Sequence, residues 1–165
     1  MATTPADDTD RLFEALGRIP SGLFILTVRS GPRSTGMLAS WVMQAGFDPP
    51  MVTVALADGR FVGDWVARSG RLVLNQVAEG DKALIRHFGR GFDPEDSAFE
   101  GLELGPAARG GQTLAGALGY LDLEVRGEVG GGTHRVFLAE VVGGSLLAGD
   151  EATPAVHLRK NGRRY

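Results

Sequence analysis

At 165 residues, 43% hydrophobic and 22% charged, the chain has the makeup of one globular domain large enough for a substantial core. A formal charge of −3 argues against a nucleic-acid-binding surface, and the only basic cluster, Arg159-Lys160 with Arg163-Arg164, reads as a solvated tail. With no cysteine there are no disulfides, no thiol redox chemistry and no thiolate metal sites. No apolar run approaches a membrane span, and Asp7, Asp8 and Asp10 do not suit a secretory leader, so a cytoplasmic protein is expected.

Residues 1–8 are expected to form a mobile arm, and residues 9–165 a single domain. Asp8 or Thr9 caps a predicted helix running to Leu16, with Leu12, Phe13 and Leu16 on one face and Gly17 as its stop. Residues 22–29 form a continuous apolar strand turned by Gly31-Pro32, and residues 51–56 a further strand after Pro49-Pro50. Asp58-Gly59 leads into a short helix with Phe61, Trp65 and Val66 at helical spacing, closed by Gly70. Residues 72–77 are a strand, and Asp81 caps a helix over 82–88. Residues 89–116 show no periodicity, and so long an irregular span often has a functional role as a lid or site wall. Residues 117–129 alternate, with Leu121, Leu123 and Val125 on one face and Asp122, Glu124 and Arg126 on the other. Residues 134–147 are a long strand broken at Gly143-Gly144, and residues 154–160 a short last one. Strands linked by glycine-rich turns, with helices inserted between them, point to an antiparallel barrel.

The stretch over 34–56 is unusual. Thr35-Gly36-Met37-Leu38-Ala39-Ser40-Trp41 has too few charges for a surface loop and too many small residues for an ordinary packed strand. Small side chains let a flat ligand lie against the backbone, where peptide N–H groups recognise it; a buried strand with a bulge is the structural alternative. Elsewhere, His87, His134 and His157 lie far apart without metal-site spacing, so no metal is expected, and no nucleophile elbow is present.

Four separated stretches carry a resemblance. They are Gly36-Met37-Leu38-Ala39-Ser40-Trp41 followed by Asp48-Pro49-Pro50; Arg71-Leu72-Val73-Leu74-Asn75 followed by a helix reaching His87-Phe88; Gly132-Thr133-His134 opening a long apolar strand; and the ending His157-x-Arg159-Lys160-x-Gly162-x-x-Tyr165. Together they resemble the flavin reductase-like, FMN-binding split-barrel family, in particular the flavin reductase module at the end of cyanobacterial-type flavodiiron proteins. The resemblance implies a mainly β fold with short helices, a Greek-key split β-barrel of the FMN-binding type. It also implies a homodimer with flavin near the interface.

On the same basis, Thr35, Gly36, Met37, Leu38, Ala39, Ser40 and Trp41 contact the ring and ribityl chain. Asn75, His87 and Phe88 line the site, and Tyr165 packs by the flavin or the dimer contact. A phosphate also needs positive charge, for which Arg60, Lys82, Arg86 and Arg90 are the nearby options, with Arg60 and Arg86 favoured. His134 positions flavin or nicotinamide. Two positions depart from the family pattern: Gly46 stands where relatives carry Ser, and Thr133 where they carry Asp. The Thr133 change removes a carboxylate that could orient the imidazole.

The implied function is an NAD(P)H-dependent flavin oxidoreductase. Hydride passes from NADH or NADPH to N5 of bound FMN or FAD, and electrons then go to a separate acceptor such as a partner oxygenase. The alternative is a flavin-binding protein without turnover, serving as relay, sensor or store. Neither nucleic acid nor a membrane is expected as a partner.

Overall fold

The computed structural model describes residues 5–163. The chain runs α1 (Pro5–Gly17), β1 (Ser21–Gly22), β2 (Phe24–Ser30), β3 (Arg33–Ala39), β4 (Val42–Phe47), β5 (Pro50–Ala57), α2 (Phe61–Ser69), β6 (Arg71–Gln76), α3 (Lys82–Gly89), β7 (Gly119–Gly131), β8 (His134–Leu146) and β9 (Val156–His157). Helix α1 starts earlier than expected and takes in residues 5–8 of the expected arm. Proline suits a first helical turn, and acidic residues there complement the helix dipole. Among the described residues, no helix is long and apolar enough to cross a membrane.

Seven strands form one antiparallel sheet in the order β3-β2-β6-β7-β8-β5-β4. Its two edge strands, β3 and β4, are consecutive in the chain, with only Ser40 and Trp41 between them. The sheet therefore curls until both edges meet at that corner. The edges share no ladder, so the barrel stays open along one seam: a split barrel. The Trp41 carbonyl accepts from Ala55 N at 2.9 Å and ties the corner to β5.

Strand β2 explains the apolar run it comes from, because it is buried on both faces. Leu26 and Val28 face the barrel interior with Val54, Leu56, Leu72, Leu74, Leu123, Phe137 and the α2 residues Val62, Trp65 and Val66. Ile25 faces outward into a second core with Leu84 and Phe88 of α3, Ala98, Leu114 and Ala117. Both helix signals hold. Gly70 adopts a left-handed φ of 65° and donates to Val66 O at 2.9 Å, while an Asp81 carboxylate oxygen accepts from Leu84 N at 3.0 Å.

Residues 109–114 form a strap wedged where β2 and β6 diverge. A Cβ on Gly110 would lie 2.5 Å from Leu72 O, and one on Gly111 would lie 2.5 Å from Thr27 Oγ1. Arg29 N donates to Gly110 O at 3.0 Å, and Thr27 Oγ1 donates to Gln112 O at 2.6 Å. Asp122, expected on the face opposite Leu121, Leu123 and Val125, is 8% exposed. Its carboxylate accepts from Arg109 N at 2.8 Å and Gly110 N at 3.0 Å, so the strap covers it. Strand β8 is continuous through Gly143-Gly144. The register steps from Asp122↔Gly143 to Leu123↔Val141, which leaves Val142 as a bulge rather than a break.

The chain's end packs on α1. Arg159 N donates to Gly17 O at 3.2 Å, Gly162 N donates to Phe13 O, and Arg163 pairs with Asp10 at 2.8 Å. A Cβ on Gly17 would lie 2.6 Å from Asn161 Cα. Gly17→Ala is expected to cost about 1–3 kcal/mol by overpacking against backbone. It should also speed tryptic cleavage at Arg159 and Lys160, read by urea unfolding and limited proteolysis.

Candidate functional site

The corner that joins the two sheet edges holds Ser40 and Trp41, with His134 against the Trp41 ring. Ser40 follows directly on β3 and is 6% exposed. Its buried Oγ has no hydrogen-bond partner among the described residues. The adjacent Trp41 indole lies with its centroid 4.5 Å from the His134 imidazole, tilted by 37°. His134 is placed by its position as first residue of β8, paired with Ala57 and Gly131. Thr133 Oγ1 lies 2.9 Å from His134 Nδ1. A hydroxyl thus does the orienting that the missing carboxylate was expected to do, leaving Nε2 for a ligand. Nε2 is buried and without a partner among the described residues. Buried polar atoms are nearly always paired, so an orphan on Ser40, next to Trp41 in the chain, and another on the imidazole that meets the Trp41 ring ask for a polar ligand.

The other predicted residues divide differently. Thr35 pairs with Val28 and, like Met37 and Ala39, lies on the barrel-interior face of β3. Its Oγ1 is buried and without a partner among the described residues, but on that face it is not part of the corner. Gly36 faces the other way, where a Cβ would lie 2.7 Å from the Phe88 ring. Its smallness serves packing against α3. Leu38 packs into the same outer core.

Asn75 has partners inside the fold. It is 0% exposed, its Nδ2 donates to Ile25 O at 3.2 Å and Gln112 O at 3.1 Å, and its Oδ1 accepts from Leu114 N at 2.8 Å. Its side chain clamps the strap. Phe88, 1% exposed, is core. His87 Nε2 donates to Ala98 O at 2.8 Å, and its ring sits 4.8 Å from Phe88 and 5.3 Å from Phe92. That arrangement pins the segment after α3. Arg60 and Arg86 are exposed, and their side chains make no hydrogen bond or ion pair with the described residues. Tyr165 lies outside the described residues. Two open grooves, of about 310 and 410 Å³, run along residues 90–100; the larger is lined by Arg33, Ser34 and Gln112. Neither is lined by Ser40, Trp41 or His134.

Arg159 was not singled out from the sequence, yet its guanidinium carbon lies 5.1 Å from the Trp41 ring centroid. The ending His-x-Arg-Lys was visible, but nothing local in it points to an indole so far back in the chain.

Residues 16–165 match the family described as "Flavin reductase like domain". The chain belongs to this family. Diflavin flavoprotein A 1 of Synechocystis sp. is 39% identical over 159 residues, which are 96% of this chain but 27% of the relative's length. The chain therefore spans about a quarter of the curated relatives it matches. Among solved structures, the NADH:FAD oxidoreductase SgcE6 of Streptomyces globisporus C-1027 superposes with a TM-score of 0.81 at 21% identity, covering 99% of this chain and 95% of that one. The styrene monooxygenase flavin reductase of Pseudomonas putida S12 gives 0.73 at 22% identity, covering 91% and 92%. These likenesses establish the split-barrel fold.

A flavin suits the corner of this flavin reductase-like chain. The ring system offers both donors and acceptors along its edge, and Ser40 Oγ and His134 Nε2 are buried without either. Among the described residues, no group of His, Asp and Glu side chains is arranged to hold a metal.

Proposed function

We propose that the chain is an NAD(P)H-dependent flavin oxidoreductase that binds FMN or FAD at the Ser40–Trp41–His134 corner and passes electrons to a separate acceptor. The observation that carries this reading is the pair of buried, unpartnered polar atoms at a corner where two sheet edges meet without a ladder. When bound, flavin supplies the hydride-accepting and electron-passing chemistry. The chain's own part is to bind and orient. Ser40 Oγ and His134 Nε2 hydrogen-bond the ring edge, Trp41 walls the site, and Thr133 holds the imidazole. Exposed Arg60 and Arg86 supply positive charge for the phosphate.

The family relatives support the reading through what they are named for: an NADH:FAD oxidoreductase, also seen in complex with NAD and FAD fragments, and a reductase serving a styrene monooxygenase. A second copy of the chain completes the site. Edge strand β4 lies beside the corner and exposes Met43 at 62% and Phe47 at 89%, an apolar margin that suits burial in a dimer.

Anaerobic stopped-flow mixing with NADH and with NADPH tests the activity. The expected result is bleaching of the oxidised flavin band by at least one of them. Flavin that binds at the corner but stays oxidised with both donors at millimolar concentration would make the chain a flavin carrier or relay.

A further inference from the structure

We propose that Arg159 is a positioning residue of this site: it holds the Trp41 indole in place against His134 by anchoring it to the C-terminal end of α1. This rests on the flavin reading above and adds a residue to it.

Three observations converge on Arg159. Its backbone N–H donates to Gly17 O at 3.2 Å, which fixes the Cα beside the end of α1. A guanidinium nitrogen donates to Leu16 O at 3.2 Å, one of the last carbonyls of that helix. The guanidinium carbon then lies 5.1 Å from the Trp41 ring centroid, within cation–π range.

Helix α1 carries no basic residue of its own in its last turn. Leu16 O also accepts from Ile19 N at 3.3 Å, so the guanidinium is a second donor there, and it places a positive charge from the tail at the negative end of the helix dipole. Because the helix holds the guanidinium from one side, its position does not depend on any ligand. The indole is thus contacted by His134, with ring centroids 4.5 Å apart, and by a cation fixed on a separate element.

A planar, delocalised guanidinium can bond a carbonyl in its plane and stack on a ring with its face at the same time. A lysine ammonium is a compact point charge that does one or the other less well. The backbone at Trp41 is already tied through its carbonyl to Ala55 N. What Arg159 adds is side-chain orientation, and with it the shape of the wall that a flat ligand meets. Preorganised walls improve affinity by removing the ordering cost from the binding step.

The test uses the full-length chain carrying 5-fluorotryptophan, which gives two ¹⁹F resonances, one from Trp41 and one from Trp65, assigned with Trp41→Phe. FMN and FAD are titrated into the wild type. Either flavin should shift the Trp41 resonance. If flavin binds and that resonance does not move, the flavin site is elsewhere and the proposal falls with it.

Arg159→Met is then expected to move the Trp41 resonance in the ligand-free protein, to leave that of Trp65 in place, and to raise the flavin Kd about tenfold. Arg159→Lys should recover part of that loss. If the wild type responds to flavin while Arg159→Met keeps either the wild-type Trp41 resonance or a Kd within twofold of wild type, the positioning role is overturned and the flavin site stands. The Trp65 resonance reports folding. Should Arg159→Met lose it, Arg159→Lys carries the same comparison, with a smaller shift and a Kd raised about threefold.

Discussion

Asn75→Ala lowers the stability of the ligand-free protein by about 3 kcal/mol, measured by urea unfolding without flavin. The reason lies in who is left behind. Gln112 O keeps a second donor, Thr27 Oγ1 at 2.6 Å, and Ile25 O lies within a sheet strand. Leu114 N–H has only the Asn75 Oδ1 among the described side chains, at 2.8 Å, and would be stranded in the second core beside a 1%-exposed Leu114. An orphaned buried donor costs about 1–3 kcal/mol, and the vacated side-chain volume adds to it. Asn75→Asp should be at least as severe, because a carboxylate would then face two carbonyl oxygens at a site that is 0% exposed. A ligand-free midpoint within about 0.5 kcal/mol of wild type would show that the amide is not the strap's clamp and is available to a ligand after all.

The same residue shows where sequence reasoning stopped. The ends of α2 and α3 were legible because their signals are local. Gly70 is the left-handed stop, and Asp81 reaches only to Leu84. The alternation of Leu121, Leu123 and Val125 was legible because a strand's period is fixed. The strap at 109–114 has neither property. It is held by Thr27, Asn75 and Asp122, three polar side chains on three different strands, so none of them looks like a clamp in its own segment. Asp122 meets the same limit: alternation assigns a face of the sheet but does not know that a loop returns to cover it. Gly143-Gly144 looked like a break for a related reason. A Cβ on Gly144 would lie 2.5 Å from Tyr120 O, so what glycine permits there is a closely paired bulge.

At the site, the family pattern brought Ser40, Trp41 and His134 into one set, and the structure sets the His134 ring against the Trp41 indole, with Ser40 next to Trp41 at the corner. Gly36, Asn75 and Phe88 have packing or hydrogen-bond partners inside the fold. A motif records which residues a fold keeps. It does not distinguish those kept for a ligand from those kept for the barrel.

Ser40→Ala is expected to move two quantities in opposite directions, which is the sharpest signature of a residue held for a ligand. In the ligand-free chain its hydroxyl is buried without a partner among the described residues, an arrangement that costs about 1 kcal/mol, and alanine fills nearly the same space without the polar atom. Ligand-free stability should therefore rise by about 0.5–1 kcal/mol. Flavin affinity should fall by about tenfold, because the ring edge loses a desolvated hydrogen bond.

His134→Ala removes Nε2 and the imidazole that rests on Trp41, and should weaken flavin by a similar or larger factor. If the two side chains hold different atoms of one ligand, their effects combine. The double variant should then lose about a hundredfold in affinity while remaining folded, as judged by its urea midpoint. If they competed for the same atom, the second substitution would add little to the first. A Ser40→Ala protein with wild-type stability and wild-type flavin affinity would mean that the hydroxyl is neither stranded nor used, and the corner would lose its claim as the binding site. The opposed signs matter because a purely structural serine moves only stability, and a solvent-exposed ligand residue moves only affinity.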